Sequence, residues 1–271
     1  MKIITDSTCD MPFNEANASG IEMIPMKLCF GEEEYVDKIT ITDEEFYKKL
    51  SECKTPPKTT LINSGQFLEV FDKYKDEEIL ILCISSGLSG TYNCARVACE
   101  MSGRNDIYLI DSKSVTVGLM LLVNEAVKMR DEGKDIKEIY ETLLDFREKV
   151  KIVAVLDTLK YLVLGGRISG FAGHVGTLLN IKPLICSENG GIINSGKARG
   201  RAAALEKLKQ DVFENFKMDP SKPILYVHGG DIDAIAELKK LVGREAPAYT
   251  IGSVVGTHAG PGAVGLAYFM E

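Results

Sequence analysis

The chain of 271 residues contains no tryptophan, three histidines and no pair of cysteines spaced Cys-x-x-Cys. No histidine stands near a cysteine at ligand spacing, so the sequence argues against a zinc site. The seven cysteines are an odd number, which is typical of reduced thiols in a cytosolic protein and not of a disulfide framework. We therefore expect no metal ion and no cofactor.

Long blocks of one charge and long apolar runs are missing as well. The formal net charge is -7 and no basic block accompanies it, so we expect no nucleic-acid partner. The longest apolar run lies near Val115–Val123 and falls short of the roughly 18 residues that cross a bilayer. Met1–Asp6 leads into a short apolar strand and an acid, whereas a signal peptide has a longer apolar core. We expect a cytoplasmic protein.

Apolar segments of strand length alternate with longer helical patterns through the first part of the chain. Glu78–Ile84 predicts a buried strand and Thr91–Met101 predicts the helix after it. Thr42–Glu52 predicts a helix that starts with a capping box. This alternation is typical of a parallel sheet with crossover helices.

After Lys149 the spacing of the apolar segments changes. Tyr249–Val255 predicts one of several later strands. We therefore predict an α/β fold of two lobes. An N-terminal parallel-sheet domain covers residues 1–150 and a C-terminal α/β domain covers residues 151–271. We expect the ligand cavity at their junction, where such clefts are common.

The loop after the predicted buried strand reads Ser85-Ser86-Gly87-Leu88-Ser89-Gly90. Free backbone N–H groups at the start of the next helix attract anions, and small hydroxyl residues let an anion approach. An ordinary helix cap explains the same residues. The loop departs from a nucleophile elbow because Thr91 replaces the last glycine, and it lacks the lysine of a P-loop. Asp6 and Asp10, nearer the start, are read mainly as turn and cap residues.

Two further segments place a single basic side chain among glycines. His258 lies in Gly256–Gly262, which we predict to be a loop, and an imidazole there can hydrogen-bond a carboxylate. The alternative is a turn histidine bonded to backbone. Arg167 lies in Leu164–Gly170 and needs an acidic partner, which a ligand or a structural salt bridge would supply.

Six short segments stand out when the chain is taken as a whole. They are Ile4–Thr8, Pro57–Thr60, Ser85–Tyr92, Asp111–Ser112, Gly165–Ser169 and Thr257–Gly262. In this order, over nearly the whole chain, they resemble the DegV family, which includes the fatty-acid-binding subunit of bacterial fatty acid kinase. The resemblance implies two α/β lobes that enclose a long-chain fatty acid, and no catalysis by the chain itself.

The resemblance also implies roles for particular residues. Thr59 and Ser89 would hydrogen-bond the fatty carboxylate, with His258 close by, and Arg167 would lie near the head group and help dock a separate kinase. That kinase makes an acyl phosphate for phospholipid synthesis. We expect a monomer and allow for transient contact with a membrane. The candidate ligand-binding residues are Thr59, Thr60, Ser86, Ser89, Gly90, Arg167 and His258.

The sequence departs from the family after Thr59, where Thr-Ser-Gln-Pro-Ser is usual and Thr59-Thr60-Leu61-Ile62-Asn63 stands here. We hypothesise that Leu61 and Ile62 extend an apolar wall. The segment Gly170–Leu179 is our candidate gate for the pocket. The main alternative function is a serine-type acyl hydrolase that uses Ser89 and His258, and a sugar- or phosphate-binding enzyme is another.

Overall fold

Runs of aliphatic and β-branched residues form the strands, and segments with apolar residues three or four apart form the helices between them. The computed structural model describes residues 1–168 and 180–271. Within them the strands are β1 (Lys2–Asp6), β2 (Ile21–Ile24), β3 (Lys27–Phe30), β4 (Glu33–Val36), β5 (Lys58–Thr60), β6 (Ile79–Cys83), β7 (Ile107–Asp111), β8 (Val150–Val155), β9 (Ile181–Glu188), β10 (Gly191–Arg199), β11 (Ile224–His228), β12 (Ala248–Thr250) and β13 (Val264–Phe269).

The α-helices of the same described residues are α1 (Phe13–Ala18), α2 (Asp43–Glu52), α3 (Ser64–Lys73), α4 (Thr91–Ser102), α5 (Thr116–Asp131), α6 (Ile136–Lys149), α7 (Lys160–Gly165), α8 (Arg201–Gln210), α9 (Asp233–Val242) and α10 (Ser253–Ala259). A short 3-10 turn, Ser7–Cys9, follows β1, and a π-helical turn, Asp211–Asn215, continues α8. The predicted gate, Gly170–Leu179, lies outside the described residues.

The N-terminal half contains a four-stranded sheet in the order β2-β1-β6-β7, with every neighbouring pair parallel. All five residues of β6 are buried, as expected of a parallel strand that is covered on both faces. The predicted strand at Glu78–Ile84, the helix after it and the parallel sheet are confirmed.

The C-terminal half contains a six-stranded mixed sheet in the order β10-β9-β8-β13-β11-β12. β11 and β12 run parallel, whereas the other neighbouring pairs run antiparallel. The chain is therefore an α/β protein with a parallel sheet followed by a mixed one, and the predicted fold class is confirmed.

A three-stranded antiparallel arm, β4-β3-β5, extends from the first half and carries α2. Phe46 and Leu50 of α2 pack with Leu28 of β3 in a small apolar cluster. The capping box at the start of α2 is confirmed, because the Thr42 hydroxyl accepts the Glu45 amide at 3.2 Å while the Glu45 carboxylate accepts the Thr42 amide at 2.9 Å. The arm places β5, and with it Thr59, beside the C-terminal half.

Helix α5 lies between the two large sheets and contacts strands of both. It is buried along nearly its whole inner length, from Thr116 through Ala126, as expected of a helix that is apolar on all sides. No helix in the described part of the chain is both long and apolar enough to cross a membrane.

The predicted strand at Tyr249–Val255 and the predicted loop at Gly256–Gly262 are wrong in part. β12 ends at Thr250, and residues from Ser253 onward form α10, which carries His258. α10 packs so closely on α2 that a Cβ atom at Gly256 would lie 2.6 Å from Phe46 Cε1. This tertiary contact outweighs the strand preference of Val254 and Val255.

Candidate functional site

A cavity of about 470 Å³ lies against the inner face of the six-stranded sheet. Its opposite side is formed by residues that follow the carboxyl ends of β1 and β6, by the start of α5 and by α10. The carboxyl ends of parallel strands are the usual place for ligands in such sheets. The volume falls within the range of roughly 300–1,000 Å³ that small-molecule sites occupy.

The floor of the cavity is apolar because strand alternation brings every second residue of β8 to one face. Ile152 and Ala154 of β8 line it, as does Leu156 just after β8, with Ile185 from β9 and Ile192 from β10 beside them. Ala154 and Ile185 are directly paired across the two strands. Such a floor suits a hydrocarbon and offers no hydrogen-bonding group to a polar ligand.

The polar side of the cavity centres on Thr59 and His258. Thr59 lies in the middle of β5, where it pairs with Leu28 of β3, and His258 lies in the last turn of α10. The Thr59 hydroxyl and His258 Nε2 are 3.1 Å apart. These residues are 199 positions apart in sequence, and the three-stranded arm brings them together.

The electrostatics of the site keep His258 neutral. Burial, with the nearby positive charge of Arg167, lowers its pKa from 6.5 to about 4. Gly165 of α7 lies against the other ring nitrogen, since a Cβ atom there would be 2.1 Å from His258 Nδ1. Nδ1 has no hydrogen-bond partner among the described residues.

The tautomer of His258 decides what the Thr59 hydroxyl can offer to a ligand. With its ring proton on Nε2, His258 donates to the Thr59 hydroxyl oxygen. The proton of the Thr59 hydroxyl is then available to an acceptor in the cavity. A carboxylate oxygen is such an acceptor.

Ser89 and Gly90 line the cavity at the start of α4. The Ser89 hydroxyl lies 3.0 Å from the Thr91 hydroxyl and accepts the Thr91 amide at 3.3 Å. The Ile62 amide donates to the Thr91 hydroxyl at 3.4 Å, which ties this loop to the segment after Thr59. The loop thus combines a helix cap with a hydroxyl that faces a ligand space.

Arg167 also lines the cavity, at an exposed position just after α7. Gly166 has φ +70° and turns the chain out of the helix. The guanidinium donates to the carbonyl oxygens of Leu88, at 3.2 Å, and of Gly165. The expected acidic partner is not found among the described residues, so the positive charge remains available beside the Ser89 loop.

The two remaining candidate residues differ in their placement. Thr60 lines the cavity, and its hydroxyl donates to the Lys27 carbonyl oxygen at 3.4 Å. Ser86 is exposed, and its amide and hydroxyl both donate to the Asp111 carboxylate, at 3.0 and 2.5 Å. Thr60 therefore lies in the cavity wall, whereas Ser86 bonds to Asp111 at the end of β7.

The geometry gives no support to a Ser89–His258 pair. The hydrogen bond of His258 Nε2 goes to Thr59, and that of the Ser89 hydroxyl goes to Thr91. His258 Nδ1 meets Gly165 where a hydrolase would place its orienting acid.

Sequence reasoning missed Thr8, Met26 and Thr116, which also line the cavity. The Thr8 hydroxyl donates to the buried Asp6 carboxylate, and the Thr116 hydroxyl donates to the buried Asp10 carboxylate at 2.5 Å. The cap role predicted for Asp6 is found, because its side chain accepts the Thr8 amide. The two acids so close to a strand end were the signal that could have pointed to the cavity.

Comparison with known proteins agrees with this architecture. The family model described as "Uncharacterised protein, DegV family" matches residues 1–271. The chain belongs to the DegV family. A DegV domain-containing protein of Clostridium acetobutylicum is 33% identical, with 99% of this chain and 98% of that protein covered.

Solved structures share the fold. A protein described as a fatty acid binding DegV family protein from Streptococcus agalactiae superposes with a TM-score of 0.90 at 26% identity, covering 100% of this chain and 98% of that chain. A stearic acid-binding protein from Eubacterium ventriosum superposes with a TM-score of 0.87 at 27% identity, covering 99% and 98%.

Proposed function

We propose that this DegV protein binds a long-chain fatty acid in the described cavity and presents the carboxylate to a separate kinase. The observation that carries the proposal is the Thr59–His258 pair, 3.1 Å apart, beside an apolar floor. In the proposed complex Thr59 and Ser89 donate to the carboxylate, while Arg167 supplies positive charge. The relatives from Streptococcus agalactiae and Eubacterium ventriosum, which are described as fatty-acid binders, support this ligand class.

The tail supplies most of the affinity in this proposal. A buried methylene contributes about 0.8 kcal/mol, so a tail of roughly 15 methylenes contributes about 12 kcal/mol before the costs of association. A hydrogen bond to a charged group adds only about 1.5–3 kcal/mol. The polar residues therefore orient the ligand, and the apolar residues of β8, β9 and β10 retain it.

In this proposal the partner kinase carries out the chemical step. The fatty acid is held here without a covalent step, and an ATP-using kinase subunit forms the acyl phosphate. We further propose that the chain acts as a cytoplasmic monomer without a cofactor and touches a membrane only transiently. Residues from both proposed domains, 1–150 and 151–271, line the cavity.

The test is to denature the protein purified from cells, extract it with organic solvent and identify the lipids by mass spectrometry. We expect about one fatty acid per chain. The Thr59→Val and His258→Ala variants should retain less ligand, because each loses one member of the polar pair. An empty extract together with no uptake of added stearate would refute the proposed function.

A further inference from the structure

The start of α10 is held by three side chains, those of Tyr47, Asp10 and Asp37. The Tyr47 hydroxyl donates to the Ile251 carbonyl oxygen at 3.0 Å. The Gly252 amide donates to the Asp10 carboxylate at 2.9 Å. The Ser253 amide and hydroxyl donate to one oxygen of Asp37, at 3.1 and 2.5 Å.

Both carboxylates are buried, with 1% of Asp10 and 0% of Asp37 exposed. Buried carboxylates are costly unless they are hydrogen-bonded and near a positive charge. Lys38 supplies that charge, since it lies among Asp10, Asp37 and Asp43 and its ammonium is 3.8 Å from the Asp43 carboxylate. These buried carboxylates bond to the start of a seven-residue helix, and we expect them to fix the position of that helix.

Asp10 also joins the start of α10 to the start of α5. Its second carboxylate oxygen accepts the Thr116 hydroxyl at 2.5 Å, and Thr116 lines the cavity from the start of α5. Thr116 has φ +50°, which is unfavourable for a β-branched residue and persists only where the surroundings hold it. One carboxylate therefore fixes two segments that face the same ligand space.

The start of α10 is linked to His258 by a short helix that packs closely on α2. Gly256 lies against Phe46 and Tyr47, and a Cβ at Gly252 would lie 2.9 Å from both Asp10 Oδ1 and Lys38 Cε. His258 follows Ser253 by about 7.5 Å along the helix axis. A shift at Ser253 is thus carried to the imidazole.

We propose that Asp10 and Asp37 are positioning residues, which fix the start of α10 and thereby hold His258 against Thr59. This inference rests on the proposed function only for its effect on ligand binding. The position of the imidazole is a property of the ligand-free protein and is measured separately.

The experiment compares variants of Asp37 in the full-length protein. Asp37→Ala removes both hydrogen bonds to Ser253, whereas Asp37→Asn keeps an acceptor oxygen and should restore them. Tyr47→Phe removes only the bond to Ile251, and Tyr35→Phe is its matched control because the Tyr35 hydroxyl bonds to exposed Glu33 and does not touch α10. The readouts are the imidazole nitrogen chemical shifts of His258 by NMR and the affinity for stearate.

We expect Asp37→Ala to shift the Nε2 resonance of His258 and to weaken stearate binding about tenfold. Asp37→Asn should restore both, Tyr47→Phe should give a smaller change, and Tyr35→Phe should match the wild type. A folded Asp37→Ala protein with wild-type shifts and wild-type affinity would overturn the inference. If Asp37→Ala does not fold, unchanged His258 shifts in both Tyr47→Phe and Ser253→Ala overturn it instead.

The two proposals fail in different ways. Wild-type protein that takes up no stearate contradicts the proposed function, while the His258 shifts still report on the positioning. Weakened binding in His258→Ala together with wild-type behaviour in Asp37→Ala contradicts the positioning alone.

Discussion

Gly165 offers the sharpest test of the polar site, because its missing side chain leaves the space that His258 occupies. A Cβ at this position would lie 2.1 Å from His258 Nδ1 and 2.9 Å from Cε1. Non-bonded carbon contacts are optimal at about 3.5–4.0 Å. In Gly165→Ala the imidazole must therefore leave its present position, and its hydrogen bond to Thr59 is disturbed.

The size of the effect follows from the contacts involved. Crowding in a packed site costs about 1–3 kcal/mol, and the disturbed hydrogen bond is worth about 0.5–1.5 kcal/mol. The apolar floor is untouched, so stearate binding should weaken about tenfold and not disappear. Isothermal titration with stearate measures this change, and urea unfolding shows how much of the cost falls on stability.

Gly166→Ala is the matched control for this test. Gly166 has φ +70°, and apart from its chain neighbours no atom of the described residues lies within 4 Å of an added Cβ. Its alanine variant therefore strains the end of α7 without touching the imidazole. We expect it to lose stability but to bind stearate normally. Wild-type stearate affinity in Gly165→Ala, with the protein folded, would refute the role given to His258.

Three further predictions concern the ligand and pH. Ser89→Ala should weaken stearate binding only moderately but slow acyl-phosphate formation by the partner kinase more, and equal losses in a titration and a coupled kinase assay would contradict this. Ala154→Phe should fill the cavity floor, so mass spectrometry of the extracted protein should find shorter tails or none, and an unchanged lipid profile would place the tail elsewhere. Burial raises the pKa of Asp6 to about 6 and that of Asp10 to about 7, both from 3.8. The folded chain then binds more protons than the unfolded one, and these acids should raise the free energy of unfolding as pH falls from about 7 toward 3.8. Urea titrations of the wild type and Asp10→Asn check this, and identical pH slopes would count against it. The lowered pKa of His258, about 4, acts in the opposite sense and reduces stability as pH falls below 6.5.

Local sequence signals predicted the elements whose structure is decided locally. The capping box at Thr42 and Glu45 marks the start of α2, and the apolar run at Glu78–Ile84 marks β6. The resemblance to the DegV family pointed to several residues that line one cavity, among them Thr59 and Ser89. It could not show which of them are bonded to each other.

The parts that local patterns did not predict depend on distant contacts. β5 forms because Lys58–Thr60 pairs with β3, which lies about thirty residues earlier. The sequence of β5 alone does not predict this pairing. α10 is a helix because Gly256 permits close packing on Phe46, although its valines favour a strand. The Asp10–Thr116 bond spans 106 positions, and pairings of this kind follow from the fold and not from local propensity.

The place of α5 between the sheets has a consequence for how the chain unfolds. One continuous apolar cluster contains Leu119 and Leu122 of this helix together with Ile81 from the first sheet and Ala267 from the second. A fragment ending near residue 150 would expose the side of α5 that faces the second sheet, and we expect it to aggregate. The two halves should instead melt in a single transition, and a fatty acid bound between them should raise the melting temperature of both together.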